Sequence, residues 1–195
     1  QSQGPNMGDL LIAAIARGGD RIAFVEADRK TTYRALGEQL SGLIQALSAQ
    51  GLKKGDVIAT LSPNRPEAFM MTAAAYLMGL QVVWMNPVSS EADHQYQIDD
   101  AGVQILFVDP ATFGARALSI QQQCTQPLNL FGLGPWAGQI DILSQGATYP
   151  PQRLEPQASE NDPCVLIYTG GTTGKPKGVI HTHRVHVAMT LMEMA

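Results

Sequence analysis

The residues best suited to chemistry in this chain lie together in Tyr168-Thr169-Gly170-Gly171-Thr172-Thr173-Gly174-Lys175-Pro176-Lys177-Gly178-Val179. Gly170, Gly171 and Gly174 free backbone amides to turn toward an anion. Thr169, Thr172 and Thr173 add hydroxyl donors, and Lys175 and Lys177 place positive charge beside them. A segment of this composition is a cradle for a polyphosphate.

The spacing narrows the kind of cradle. A P-loop NTPase follows its Gly-Lys pair with Ser or Thr to hold Mg²⁺, whereas Gly174-Lys175 is followed by Pro176, and Thr169 stands where the first Walker glycine belongs. A dinucleotide fingerprint opens a helix at its third glycine. Here Gly170 and Gly171 are adjacent, and Pro176 interrupts a helix start.

The elements around the segment must position it. Cys164 to Tyr168 is a short run rich in β-branched and aromatic residues, set off by Glu160-Asn161-Asp162-Pro163, and is expected to be a buried strand. Val179-Ile180-His181 is expected to be a second strand and His183 to Ala195 a helix. The cradle would then be the tip of a strand-loop-strand hairpin.

These residues resemble the signature loop of the ATP-dependent adenylate-forming superfamily of acyl-CoA synthetases, luciferases and nonribosomal-peptide adenylation domains, with the pattern Tyr-Thr-Ser-Gly-Thr-Thr-Gly-x-Pro-Lys-Gly-Val. The chain departs from it at Gly170, and the resulting Gly170-Gly171 pair is similar to that of long-chain fatty acyl-CoA ligases. After His183-Arg184, where many relatives have Asn, it carries Val185. Less specific landmarks in the same order are Arg21-Ile22-Ala23-Phe24, Thr31 to Leu36, Gly51 to Val57, Ser62 to Glu67, Gly79 with Trp84 to Pro87, and Tyr96 to Asp100. The resemblance thus runs from Asp9 onward.

The resemblance implies two-step activation of a carboxylic acid, with ATP, Mg²⁺ and CoA as cosubstrates. It assigns Thr169, Gly170, Gly171, Thr172, Thr173, Gly174, Lys175, Pro176, Lys177 and Gly178 to the ATP phosphates, and His183 to the border of the nucleotide and acyl pockets. In relatives the Mg²⁺-holding glutamate, the ribose-binding aspartate and the catalytic lysine come well after this loop. The chain is therefore expected to be the N-terminal portion of a fatty-acid–CoA ligase, inactive alone, with no catalytic or metal-ligating residue of its own. The alternatives are a non-catalytic nucleotide-binding remnant and a peptide-synthetase adenylation domain that loads a carrier protein.

Read without the family, the chain alternates strands and helices, which predicts an α/β fold with a mostly parallel sheet covered on both faces. Ile22 to Glu26 and Lys30 to Thr32 bracket a turn at Asp28-Arg29. Tyr33 to Ala49 sets Leu36, Leu40, Leu43, Ile44 and Leu47 on one helical face and stops at Gly51. Val57 to Leu61, Val82 to Met85 and Ile105 to Val108 are expected strands. Pro66 to Met78, Glu91 to Ala101 and Phe113 to Gln123 are expected helices. From Leu128 to Pro156 the pattern degrades into Gly, Pro, Gln and Ser with scattered apolar residues, and irregular structure or a linker is expected.

This divides the chain into residues 1–6 as an expression scar, 7–160 as a first α/β subdomain, and 161–195 as the start of a second. The 195 residues are 45% hydrophobic, ordinary for a globular chain with a core. Ala68 to Met85 contains Thr72, Gly79 and Gln81 and falls short of the roughly 20 predominantly apolar residues of a membrane span. No secretory signal pattern is evident at the start. Cys124 and Cys164 have no metal or redox spacing, which fits a reducing cytoplasm. A net charge of −4 with no basic block argues for small-molecule substrates over nucleic acid. His181, His183 and His186 lack the spacing and the supporting ligands of a zinc site.

Overall fold

The computed structural model describes residues 4–169 and 175–193. The chain opens with helix α1 (Met7–Gly18), which starts in a capping box: the Asn6 side chain accepts from the Asp9 amide, and the Asp9 carboxylate accepts from the Asn6 amide. Asn6, expected to lie in an expression scar, also donates from its side-chain amide to the Ala158 carbonyl. A hairpin of β1 (Ile22–Glu26) and β2 (Arg29–Thr32) follows, its turn at Ala27-Asp28 rather than at Asp28-Arg29. Thr32 caps α2 (Tyr33–Ala49).

The main body then alternates as expected: β3 (Val57–Leu61), α3 (Pro66–Met78), β4 (Gln81–Trp84), α4 (Glu91–Ala101), β5 (Ile105–Val108) and α5 (Pro110–Gln123). Helix α5 begins three residues before the expected Phe113, because Asp109 caps it and Pro110 takes the first helical position, where no amide is needed. Strand β4 is shifted by one residue from the expected Val82–Met85.

The stretch expected to be irregular is so only in part: residues 147–156 carry no helix or strand, whereas β6 (Asn129–Gly132), β7 (Ile140–Asp141) and α6 (Ile142–Gly146) lie before them, all too short for hydrophobic periodicity to register. The described chain ends with β8 (Pro163–Thr169), β9 (Lys177–Thr182) and α7 (His183–Glu193).

Seven strands form one sheet in the order β7-β6-β5-β3-β4-β8-β9, parallel throughout except for the antiparallel β8–β9 pair. The expected boundary at residue 161 precedes β8, yet β8 pairs with β4 inside this sheet, Val82 opposite Val165. Alternate side chains enter opposite cores. Ile58, Val82 and Phe107 pack with α2 and α3, while Ala59, Leu61, Val83, Leu106 and Val108 pack with α4 and α5. Burial on both faces is what a parallel sheet with helical crossovers requires. Helices α2 and α6 approach closely at Gly42, where a Cβ would run into the Gly146 carbonyl oxygen.

Candidate functional site

The expected hairpin forms, and its register fixes the stems of the segment expected to cradle phosphates. Thr169 closes β8 opposite Lys177, the first residue of β9, and both are exposed. Gly170, Gly171, Thr172, Thr173 and Gly174, between the two stems, lie outside the described residues. Because β3, β4 and β8 run parallel, the stem residue Thr169 stands at their carboxyl ends, where α/β sheets bind ligands.

Gly178 has a packing role. It pairs with Tyr168, and a Cβ there would come within 3.0 Å of Leu166 Cδ1 and 3.3 Å of Tyr168 Cζ, so the absence of a side chain lets the tyrosine ring lie across β9. The Tyr168 hydroxyl donates to Asp100 Oδ2 at 2.7 Å on α4. Burial first, then the Asp100 carboxylate, pushes the Tyr168 phenol upward, so it keeps its proton.

Helix α4 reaches the other stem as well. Tyr96 lies one helical turn before Asp100, hence on the same face. Its hydroxyl donates to the Pro176 carbonyl at 3.0 Å, and the Lys175 ammonium sits 5.2 Å from the centroid of its ring. The Tyr96 and Tyr168 rings meet edge to face at 6.2 Å.

Beside the hairpin, on the α3 face, is a largely apolar cavity of about 710 Å³, with Phe69, Trp84, Val165, Ile167 and His186 among its walls. His183, expected at a pocket border, is fully buried and contributes nothing to this lining. Its Nδ1 accepts from the Met7 amide at 3.2 Å, and its ring packs edge to face on Tyr76. The histidine at the cavity is His186, whose Nε2 lies 3.2 Å from the Tyr76 hydroxyl. Burial dominates both histidines and holds them below the ordinary imidazole range. His186 was not singled out as a wall residue from the sequence, although it lies one turn after His183. The rings of His181 and His186 are 6.5 Å apart. Among the described residues, no group of three or more His, Cys, Asp or Glu is arranged to hold a metal ion.

The loops that support the site are held from beneath. His94 on α4, fully buried, contacts the Asn86 carbonyl through Nε2 at 2.8 Å, and Arg116 donates to the Ser89 carbonyl at 3.0 Å. Together they brace the segment between β4 and α4. After β3, Arg65 binds Asp109 at 2.7 Å and also pairs with Glu26 and Glu67, and Arg29 pairs with the same two glutamates.

A mostly parallel α/β sheet ending in the antiparallel β8–β9 hairpin is the fold of the amino-terminal part of adenylate-forming enzymes. The chain belongs to the AMP-binding enzyme family, which it matches over residues 11–195. It is 35% identical over 195 aligned residues to a medium/long-chain-fatty-acid–CoA ligase of Mycobacterium tuberculosis, covering 96% of this chain and 34% of the relative. It is 30% identical to an acetyl-coenzyme A synthetase of Vibrio parahaemolyticus, covering 90% of this chain and 31% of that protein. Among solved structures, an o-succinylbenzoate CoA synthetase of Bacillus subtilis in complex with AMP superposes with a TM-score of 0.73 at 25% identity, covering 98% of this chain and 46% of that one. The chain thus spans about a third of the length of the curated relatives it matches. No helix among the described residues is long and apolar enough to cross a membrane.

Proposed function

We propose that the chain is the amino-terminal part of an AMP-forming acid–thiol ligase, and that its substrate is a fatty acid. The observation that carries the reading is the β8–β9 hairpin, which sets Thr169 opposite Lys177 at the carboxyl end of the sheet in a member of the AMP-binding family. A carboxylate is a poor electrophile because its leaving group would be oxide. In the proposed reaction, a carboxylate oxygen of the acid bonds to the α-phosphorus of ATP as the bond from that phosphorus to the pyrophosphate oxygen breaks. Acyl-adenylate and pyrophosphate form. The sulfur of CoA then bonds to the acyl carbon, AMP leaves, and the thiol proton passes to solvent.

In this reading Thr169, Thr172, Thr173 and Lys177 donate to the β- and γ-phosphates and hold them in line, so that the chain contributes positioning and electrostatic stabilisation rather than covalent catalysis. Gly170, Gly171 and Gly174 let the backbone approach, and Lys175, Pro176 and Gly178 shape the exit stem. Mg²⁺ would enter with the nucleotide and offset its charge. The described residues near the stems include no carboxylate cluster to hold it, and none of the steps assigned to this chain depends on it.

The fatty-acid preference rests on the similarity to the medium/long-chain ligase and on the Gly170-Gly171 pair. The apolar cavity beside the hairpin suits a hydrocarbon better than acetate. Cys124 and Cys164 are free thiols, as a reducing cytoplasm would keep them.

ATP–pyrophosphate exchange by the full-length polypeptide, with decanoate, palmitate, acetate and succinylbenzoate as acids, tests the proposal. Exchange supported by the fatty acids, and lowered about 10²-fold by Lys177→Ala, is the expected result. Exchange with acetate alone would overturn the substrate assignment. Exchange by the 195-residue chain by itself would overturn the view that the chain is only part of the machinery.

A further inference from the structure

The two stems of the cradle are held by one helix. On the entry side, Tyr168 of β8 donates to Asp100 of α4; on the exit side, Tyr96 of α4 donates to the Pro176 carbonyl and takes the Lys175 ammonium against its ring. The edge-to-face contact of the two tyrosines joins both attachments into one clasp. The β-ladder already fixes the distance between the stems through the Thr169–Lys177 pair. What the ladder does not fix is the direction in which the exit stem leaves it, because the Pro176 nitrogen has no proton to give and Pro176 precedes the first ladder residue.

We propose that Tyr96 is the positioning residue of the phosphate cradle. Its hydroxyl orients the exit stem and its ring holds Lys175 to one side, so that Lys177 is the ammonium presented to the nucleotide. This rests on the phosphate-binding role proposed above, and it assigns the nucleotide, not the acid, as the ligand whose affinity Tyr96 governs.

Two substitutions separate the parts of the clasp. Tyr96→Phe keeps the ring and loses the hydroxyl; Tyr96→Leu loses both. In the full-length polypeptide, Tyr96→Phe is expected to raise KM for ATP about fivefold, the value of one hydrogen bond. Tyr96→Leu is expected to raise it about twentyfold, the cation–ring attraction being added. In Tyr96→Phe, which keeps the ring and its contact with Tyr168, kcat, KM for the acid and the melting temperature should stay near wild-type values. A purely structural tyrosine would instead lower the melting temperature and the active fraction and leave KM for ATP unmoved; that outcome, or unchanged KM in well-folded Tyr96→Phe, overturns the proposal. Inorganic tripolyphosphate titrated calorimetrically into the same proteins supplies a readout that requires no turnover. If the wild-type polypeptide exchanges no pyrophosphate, the enzymatic reading fails. The proposal for Tyr96 then stands or falls on whether the variants bind tripolyphosphate more weakly than wild type, and equal binding, or none by wild type, overturns it.

Discussion

The backbone amide of Met7 donates to Nδ1 of His183 at 3.2 Å, joining the first turn of α1 to the first residue of α7. The bond fixes the imidazole tautomer: Nδ1 is the acceptor, so the proton sits on Nε2, which is buried with no partner among the described residues. Replacing His183 by Leu leaves a buried amide without an acceptor and is expected to cost about 1–3 kcal/mol. His183→Asn, whose side-chain oxygen reaches a similar position, should recover part of the loss. Chemical denaturation of the two variants measures the difference, and equal midpoints would refute the assignment.

Acid is expected to weaken the fold in two stages. Burial is the main cause that lowers His94, His183 and His186. At His94 the Asn86 carbonyl, Asp93 and Glu91 oppose it while Arg116 adds to it, and at His183 His186 and Lys54 add to it against Asp162 and Asp9. A histidine whose folded value is depressed binds its proton more readily in the unfolded chain, so stability falls as pH drops below the unfolded value of about 6.5. A second loss follows lower down. Burial pushes Asp109 upward, but hydrogen bonds from Thr112 and Arg65 more than offset this and hold it below its ordinary value, so its contribution is lost as pH falls below about 4. Denaturation midpoints measured from pH 8 to pH 3 should decline from about pH 6.5, and a flat profile between pH 7 and pH 5 would contradict the histidine assignments.

Gly42→Ala tests the contact between α2 and α6. A methyl group there meets the backbone oxygen of Gly146, which cannot swing aside as a side chain can. Destabilisation of about 1–3 kcal/mol is expected, although alanine is the better helix former. Unchanged or increased stability would show that α6 yields freely.

Arg65→Met removes the guanidinium that faces Asp109, whose side chain is only 3% exposed. Asp109 keeps its bond to the Thr112 amide but loses its charge partner, and the loops after β3 and β5 lose their tie. About 1–3 kcal/mol of stability should go. Arg65→Met with Asp109→Asn should recover some of it, and strict additivity in the cycle would mean that the pair is not coupled.

Much of this architecture is legible in the sequence because glycine and proline punctuate it. Tyr33–Ala49 and Glu91–Ala101 begin and end where caps and breakers predict, and the hairpin around the cradle follows from two β-rich runs either side of a glycine cluster. Residues 129–146 were unreadable because a four-residue strand, a two-residue strand and a five-residue helix are shorter than any period that could betray them. Helix α1 left a signal, the Asn6 and Asp9 capping pair, that hydrophobic landmarks obscured. The tyrosine clasp left none, since it depends on which face of α4 meets which edge of the hairpin. The expectation for His183 was drawn from position in a motif, and burial beneath α1 cannot be seen that way.

The pairing of β4 with β8 also has a consequence for how the chain acquires this structure. Val82 meets Val165 only after α4, β5, α5, β6, β7 and α6 have been threaded to the opposite side of β3. Closing so long a loop carries a large entropy cost before any contact offsets it, whereas β3, β4 and β5 join through single helical crossovers. The hairpin that bears the proposed cradle is therefore expected to be among the last parts to dock, and substitutions in β8 should speed unfolding more than they slow folding. On that order, the proposed nucleotide site is completed only once the scaffold beneath it is in place.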